Sequence, residues 1–272
     1  MGALLNLLSA LAENVLSLSR GFHPLVSLGP ISALIGIAML WVFGRFSNQA
    51  AIRRAKARLQ AHLYELRLFA DEPSLIWRAQ KGLLLSNARY LGLMLKPAVV
   101  LTIPMIPLLV QLDSFYGRAP LVVGEPAIVS VTLKSPIPLD SPAPGLQTPP
   151  GIRVETPAVR VLRDRQILWR IRPGQEASGA IRVVLPGALL EKTVAAGTGF
   201  RYLSAARTAS LGGLFWSPRE KLLPAGSVER IEVRYPPAEV RWGPLSFHWL
   251  VWFLVISMAA AWLLKGRLGV TL

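Results

Sequence analysis

The stretch "RFSNQAAIRRAKARLQAHLYEL", residues 45–66, follows directly on the uncharged run "PLVSLGPISALIGIAMLWVFG" at 24–44. It contains Arg45, Arg53, Arg54, Lys56 and Arg58; Arg67 stands just beyond it, and Glu65 is its one acid. Ile52, Ala55, Leu59, Leu63, Leu66 and Ala70 recur every three or four residues, which predicts one apolar stripe on a basic helix. Cytoplasmic loops carry the excess of Lys and Arg, so this helix fixes the orientation of the apolar run beside it.

Two more apolar runs follow. "YLGLMLKPAVVLTIPMIPLLVQL" (90–112) has one charge, Lys96, and "FHWLVWFLVISMAAAWLL" (247–264) has none when His248 is neutral. Crossing ~30 Å of hydrocarbon takes roughly 20 apolar residues, so the runs predict three transmembrane helices at 25–44, 91–112 and 247–264. The mean hydropathy of +0.44 and the 17% of charged residues agree with that reading, since soluble domains average about 25%. The net charge of +15 invites a nucleic-acid partner, but its distribution follows topology instead, and DNA binding is not expected. Lys and Arg crowd residues 45–96, and Lys265 and Arg267 follow the last run. The N-terminus is then outside, 45–90 cytoplasmic, 113–246 external and the 265–272 tail cytoplasmic. The chain is expected in the cell membrane, multi-pass, with the lipid bilayer as its first partner. Residues 1–24 lack the basic start of a signal peptide. Leu4, Leu5, Leu8, Leu11, Val15 and Leu18 fall near one face, which predicts an amphipathic external helix, either interfacial or packed on protein.

"ADEPS" (70–74) breaks the basic helix, and Ser74 can cap a new one. A second stripe through Leu75, Ala79, Leu83, Asn87, Tyr90 and Met94 then runs into the second span. Residues 45–90 therefore predict a cytoplasmic helical hairpin, a short coiled coil whose basic faces point to solvent, anionic lipid or RNA. Pro97, Pro104 and Pro107 should kink or partly unwind the second span. Thr102 and Gln111 add polar groups to it.

The external segment changes character. "PLVVGEPAIVSVTLKS", "IRVETPAVRVLRDRQILWRIRP", "GAIRVVLPG", "LLEKTVAAG", "FRYLSAAR" and "SVERIEVRYP" alternate, are rich in β-branched residues and are punctuated by Gly and Pro. Seven or so short strands predict an external β-sandwich of generic Ig-like type at 113–246. "SPIPLDSPAPGLQTPPG" (135–151) reads as a loop within it, and Asp164 as a hairpin turn.

No catalytic constellation, nucleotide loop or metal motif is present, and no cofactor is expected. The chain has no cysteine, and no Asp or Glu falls inside a span as a proton-driven pump would need. Glu191–Lys192 and Glu220–Lys221 read as surface pairs of little energetic weight. An enzyme is therefore not expected.

Two stretches, "RAQKGLLLSNARYLGLMLKPAVVLTIPMIPLL" (78–109) and "GPLSFHWLVWFLVISMAAAWLLKGRLGV" (243–270), together with the element order, resemble the three-span branch of the YidC-type insertase superfamily. That branch includes archaeal YidC-like proteins and the third subunit of the ER membrane protein complex. The resemblance covers about half the chain and implies insertion of nascent membrane proteins without ATP, through a polar groove open to the cytoplasm. The β-domain between the second and third spans departs from it. So does the absence of an Arg inside a span; Arg45 and Lys96, at cytoplasmic helix ends, with Thr102 and Gln111, are the groove candidates. Arg53, Arg54, Lys56, Arg58 and Arg67 are the candidates for contact with the ribosome or nascent chains. The same features suit a second class, a non-catalytic accessory subunit docking on a larger membrane complex through its sandwich.

Overall fold

A computed structural model describes residues 23–68, 72–135, 142–217 and 220–270. The amphipathic helix expected over 1–24 falls outside these residues, save its last two positions, as do Ala70 and part of the Pro-rich loop. Contacts divide the chain into two compact units, Met1–Ser27 with Pro107–Leu250, and Leu28–Ile106 with Val251–Leu272.

The second unit is helical. Helix α1 (Pro24–Phe46) opens on a proline, where the missing N–H would have had no helical partner. Its buried Leu28, Ser32, Gly36 and Leu40 recur every four residues as one seam. A Cβ at Gly36 would stand 2.3 Å from the carbonyl oxygen of Ser257, on the final helix, α5 (Trp249–Leu264). Small residues spaced by four let two helix backbones approach this closely, the main source of packing energy where no water is displaced.

Helix α2 (Gln49–Leu68) is capped by Asn48, whose Oδ1 accepts the Ala51 N–H at 3.0 Å. Its inward seam passes through Ile52, Ala55, Leu59, His62 and Leu66. Leu63, expected in the stripe, is 54% exposed. Positions 62 and 63 lie about 50° to either side of the centre of the Ile52–Ala55–Leu59–Leu66 stripe, and it is the His62 side that turns inward. The His62 ring covers Gly82, where a Cβ would stand 2.6 Å from it. Residues 62 and 82 are equidistant from 72, as an antiparallel reversal there requires.

Helix α3 (Pro73–Tyr116) spans 44 residues. It begins at Pro73 with Glu72 accepting the N–H groups of Leu75 and Ile76, so Ser74 is inside the helix rather than its cap. Asn87, expected on the stripe, is exposed, and Ser86 takes the inward position. The helix continues through Pro97, Pro104 and Pro107. The expected unwinding does not occur, because each proline removes a single bond from a ladder intact on both sides of it. Helices α1 and α3 are long and apolar enough to cross a membrane; α5 is apolar but shorter, at 16 residues. It starts two residues later than the sequence suggests because Phe247 and His248 belong to a strand.

The other unit holds eleven strands among its described residues. They are β1 (Ala127–Leu133), β2 (Gly145–Gln147), β3 (Ile152–Val154), β4 (Val159–Val161), β5 (Gln166–Pro173), β6 (Ala177–Leu185), β7 (Ala188–Ala196), β8 (Ala206–Thr208), β9 (Val228–Val233), β10 (Glu239–Trp242) and β11 (Leu245–His248). One six-stranded sheet runs β3-β5-β1-β9-β8, with β4 also on β5; a second runs β2-β6-β7; β10 and β11 form a separate hairpin. All these pairs are antiparallel. Alternation drives the inner faces together: Val129, Val131, Ile167, Trp169, Ile171 and Ile231 of the first sheet share one core with Ile181, Val183, Leu190 and Val194 of the second. Asp164 lies in the β4–β5 turn, closed by Arg165 at φ 52°. Of "FRYLSAAR" only Ala206 and Arg207 are in a strand; the rest passes along the end of α3, where Leu203 N–H donates to Ser114 O at 2.7 Å. A short helix, α4 (Leu211–Trp216), precedes β9.

Candidate functional site

The cations proposed for contact lie where the helical period puts them. Arg53, Arg54, Lys56, Arg58 and Arg67 are all exposed on α2, opposite the Ile52–Ala55–Leu59–His62–Leu66 seam. Glu65 turns to His62, whose Nδ1 is 2.8 Å from its carboxylate. The face is therefore one arc of positive charge about four turns long, with Arg67 at its far end.

The groove candidates are not gathered in the same way. Arg45 is exposed at the end of α1. Lys96 and Thr102 are exposed on α3, but six residues apart, about 120° from one another around the helix. The Thr102 hydroxyl donates back to Ala98 O at 2.9 Å, using its own helix as partner. Gln111 accepts a hydrogen bond from the Tyr202 hydroxyl of the β-domain.

The most organised polar cluster is one that the sequence reading missed. Strand β7 pairs with β6 on one side only, and its odd-numbered residues turn their backbone groups to the open side. Arg207 Nη1 donates to Glu191 O at 2.5 Å. Thr193 N–H donates to Glu220 Oε1 at 3.3 Å, and Lys192 Nζ to Thr193 O at 3.0 Å. Ala195 N–H donates to the Tyr235 hydroxyl at 3.2 Å, and Leu121 N–H to Ala195 O at 3.0 Å. From Glu191 O to Ala195 the edge is thus closed, mostly by side chains, where an open edge would recruit another strand.

Lys192 is central to this closure. It is 1% exposed, in phase with Leu190 and Val194, and its ammonium donates to Glu220 Oε1 at 2.7 Å and Ser204 O at 2.6 Å. Burial pushes the ammonium below its ordinary pKa, with the Glu220 carboxylate opposing that shift. Burial also pushes the Tyr235 phenol above its ordinary value. The two local surface pairs expected from sequence are therefore corrected: Glu191 pairs with Arg182 across the sheet at 2.9 Å, and Lys192 pairs with Glu220, 28 residues away. The signal was available in the alternation, since Lys192 occupies an inward position of its strand.

Beside the cluster is a cleft of about 670 Å³, lined by Ser178, Thr193, Phe200, Arg201, Tyr202 and Tyr235 among others. Its size suits a small molecule. Four of its polar side chains, however, are bonded to neighbouring protein groups: Thr193 Oγ1 to Glu220, Tyr202 to Gln111, Thr198 Oγ1 to Glu176 and Ser204 Oγ to Ala206 O. That arrangement fastens the 198–204 segment to its surroundings.

No family model, curated protein or solved structure matches the chain.

Proposed function

We propose that this chain is a three-span membrane protein that assists the insertion or assembly of other membrane proteins. In this reading α5 is the third span, the two sheets form an external Ig-like sandwich, and α2 with the start of α3 is a cytoplasmic arm. The observation that carries it is the exposed arc of Arg53, Arg54, Lys56, Arg58 and Arg67 on a helix joined within three residues to a membrane-length helix. An RNA or nascent-chain partner held by such an arc contributes through counterion release and charge. The resemblance to the YidC-type superfamily in the spans supports the same reading.

The accessory-subunit reading has its own support. Lys96 and Thr102 face different directions and Thr102 bonds its own backbone, so the polar residues of α3 do not converge as an insertion groove needs. Large parts of α3 are exposed, including Leu84, Leu91, Leu95, Val99 and Ile103, a surface that lipid or partner helices would cover.

One purification and one variant separate the two. The Arg53→Gln, Arg54→Gln, Lys56→Gln, Arg58→Gln variant keeps helix propensity and removes four charges. Insertase action requires it to lose co-sedimentation with ribosomes and insertion of substrates into reconstituted vesicles, and requires Lys96→Leu to impair substrates with acidic flanks. Unchanged insertion in both variants, with stoichiometric co-purification in a larger complex, establishes the accessory role instead.

A further inference from the structure

The β10–β11 hairpin has an apolar face that the proposed function does not use. Its register sets Trp242 opposite Leu245 and Val240 opposite Phe247, and cross-strand partners point to the same side of the ribbon. Val240 is buried, while Trp242, Leu245 and Phe247 are 63%, 46% and 43% exposed. The other side carries Glu239, Arg241, Ser246 and His248, with the Ser246 hydroxyl bonded to the Glu239 carboxylate. The hairpin is amphipathic.

Its root is tied to one place. Ala119 N–H donates to Pro236 O at 3.0 Å and Ala238 N–H to Gly117 O at 3.1 Å, fastening the start of β10 just past the end of α3. At the other strand, α5 begins immediately after His248, and the Trp249 indole donates to Asp113 Oδ1 at 3.2 Å. Both strands therefore leave from the level where two apolar helices end. The tip is only three or four residues from that root, about 10–14 Å at strand rise. Helix α5, with 16 residues, reaches about 24 Å, short of the ~30 Å hydrocarbon layer.

We infer that the hairpin lies in the membrane interface, with Trp242, Leu245 and Phe247 seated among lipid headgroups and upper acyl chains and Glu239, Arg241 and Ser246 facing water. Trp favours that depth, Phe and Leu are the usual apolar-face residues of interfacial amphipathic elements, and the seat supplies the apolar thickness that α5 lacks. This rests on the reading of α5 as a membrane helix.

The chain has no cysteine, so single-cysteine variants of the full protein report each position. Leu245→Cys, Ser246→Cys and Met258→Cys, each carrying an environment-sensitive fluorophore, are reconstituted into phosphatidylcholine–phosphatidylglycerol vesicles. Met258 is 68% exposed on α5 and reports the span itself through deep-acyl spin-labelled lipid. The label at 245 should emit to the blue and be quenched by shallow spin-labelled lipid about twofold more than that at 246, which should instead meet aqueous iodide. Quenching at 258 with a water-exposed label at 245 overturns the interfacial hairpin while leaving the span intact. A label at 245 shielded from both lipid and iodide shows a protein-covered face and overturns it as well. No lipid quenching at 258 removes the membrane reading of α5, and the inference with it.

Discussion

Lys192 and Glu220 meet at 2.7 Å inside the β-domain, the lysine on an edge strand and the glutamate on a segment 28 residues later. Together with Arg207 and Tyr235 they close the open side of β7. An ammonium and a carboxylate taken out of water are tolerable only because every donor of the lysine has an oxygen within reach.

Removing one partner should therefore cost more than removing both. Glu220→Gln leaves a buried ammonium without its counter-charge, and Lys192→Met leaves the carboxylate and Ser204 O without theirs. Each is expected to lower the unfolding free energy of the β-domain by about 3–5 kcal/mol, with the double change Lys192→Met, Glu220→Leu distinctly milder. Denaturant unfolding in detergent, followed by tryptophan emission, measures this. Additive losses in the double variant would show that the two groups act separately.

Tyr235 sets an alkaline limit. Its folded pKa is raised by burial, so above pH ~10 the unfolded phenol ionises while the folded one keeps its proton. Stability then falls as pH rises through that window, by at most about 1.4 kcal/mol per unit. Lys192 acts with opposite sign below about pH 10.5, since its folded pKa is lowered and the unfolded state binds the extra proton. Comparing the chain with Tyr235→Phe isolates the phenol: the variant loses the Ala195 bond at neutral pH but declines less steeply from pH 10 to 11. Parallel declines would exclude Tyr235 as the cause.

The α1–α5 contact tolerates no side chain. Gly36→Leu must push α5 away, because even a Cβ would overlap the Ser257 backbone. A loss of about 1–3 kcal/mol is expected from the overpacking. Gly29, with nothing within 4 Å of its Cβ direction, is the control, and Gly29→Leu should be neutral. Thermal unfolding of both in the same detergent is the measurement, and equal effects would refute the seam.

The proposed topology rests on charge asymmetry, and exposed positions test it. A cysteine at Ala57, on α2, should react with a membrane-impermeant maleimide only once the cytoplasmic side is opened. One at Val159, 49% exposed on β4, should react from outside in intact cells. Reversed labelling would reverse the orientation and remove the basis for a cytoplasmic basic arm.

Local pattern was enough for the helices of the second unit and for most strands of the first. Ile52, Ala55 and Leu59 set the inner face of α2, and Val129, Ile167, Ile181 and Ile231 set the inner faces of their strands, because periodicity is a property of neighbours along the chain. The exposed Arg53–Arg67 arc followed from the same period. Lys96, Thr102 and Gln111 did not form a cluster, since their angles around α3 and the Tyr202 bond lie beyond any local count.

The sequence by itself determined the apolar runs, the side that is basic, the break near Pro73 and the alternation of the β-domain. Only the tertiary structure decided that α1 and α5 touch at Gly36, that the prolines of α3 leave it helical, and that Phe247 and His248 belong to a hairpin. It alone joined Lys192 to Glu220. A charge on an inward strand position is equally consistent with strain, a ligand or a buried partner. Which of these holds depends on a carboxylate that loop geometry brings from 28 residues away, and long-range approach of that kind leaves no periodic trace in the chain.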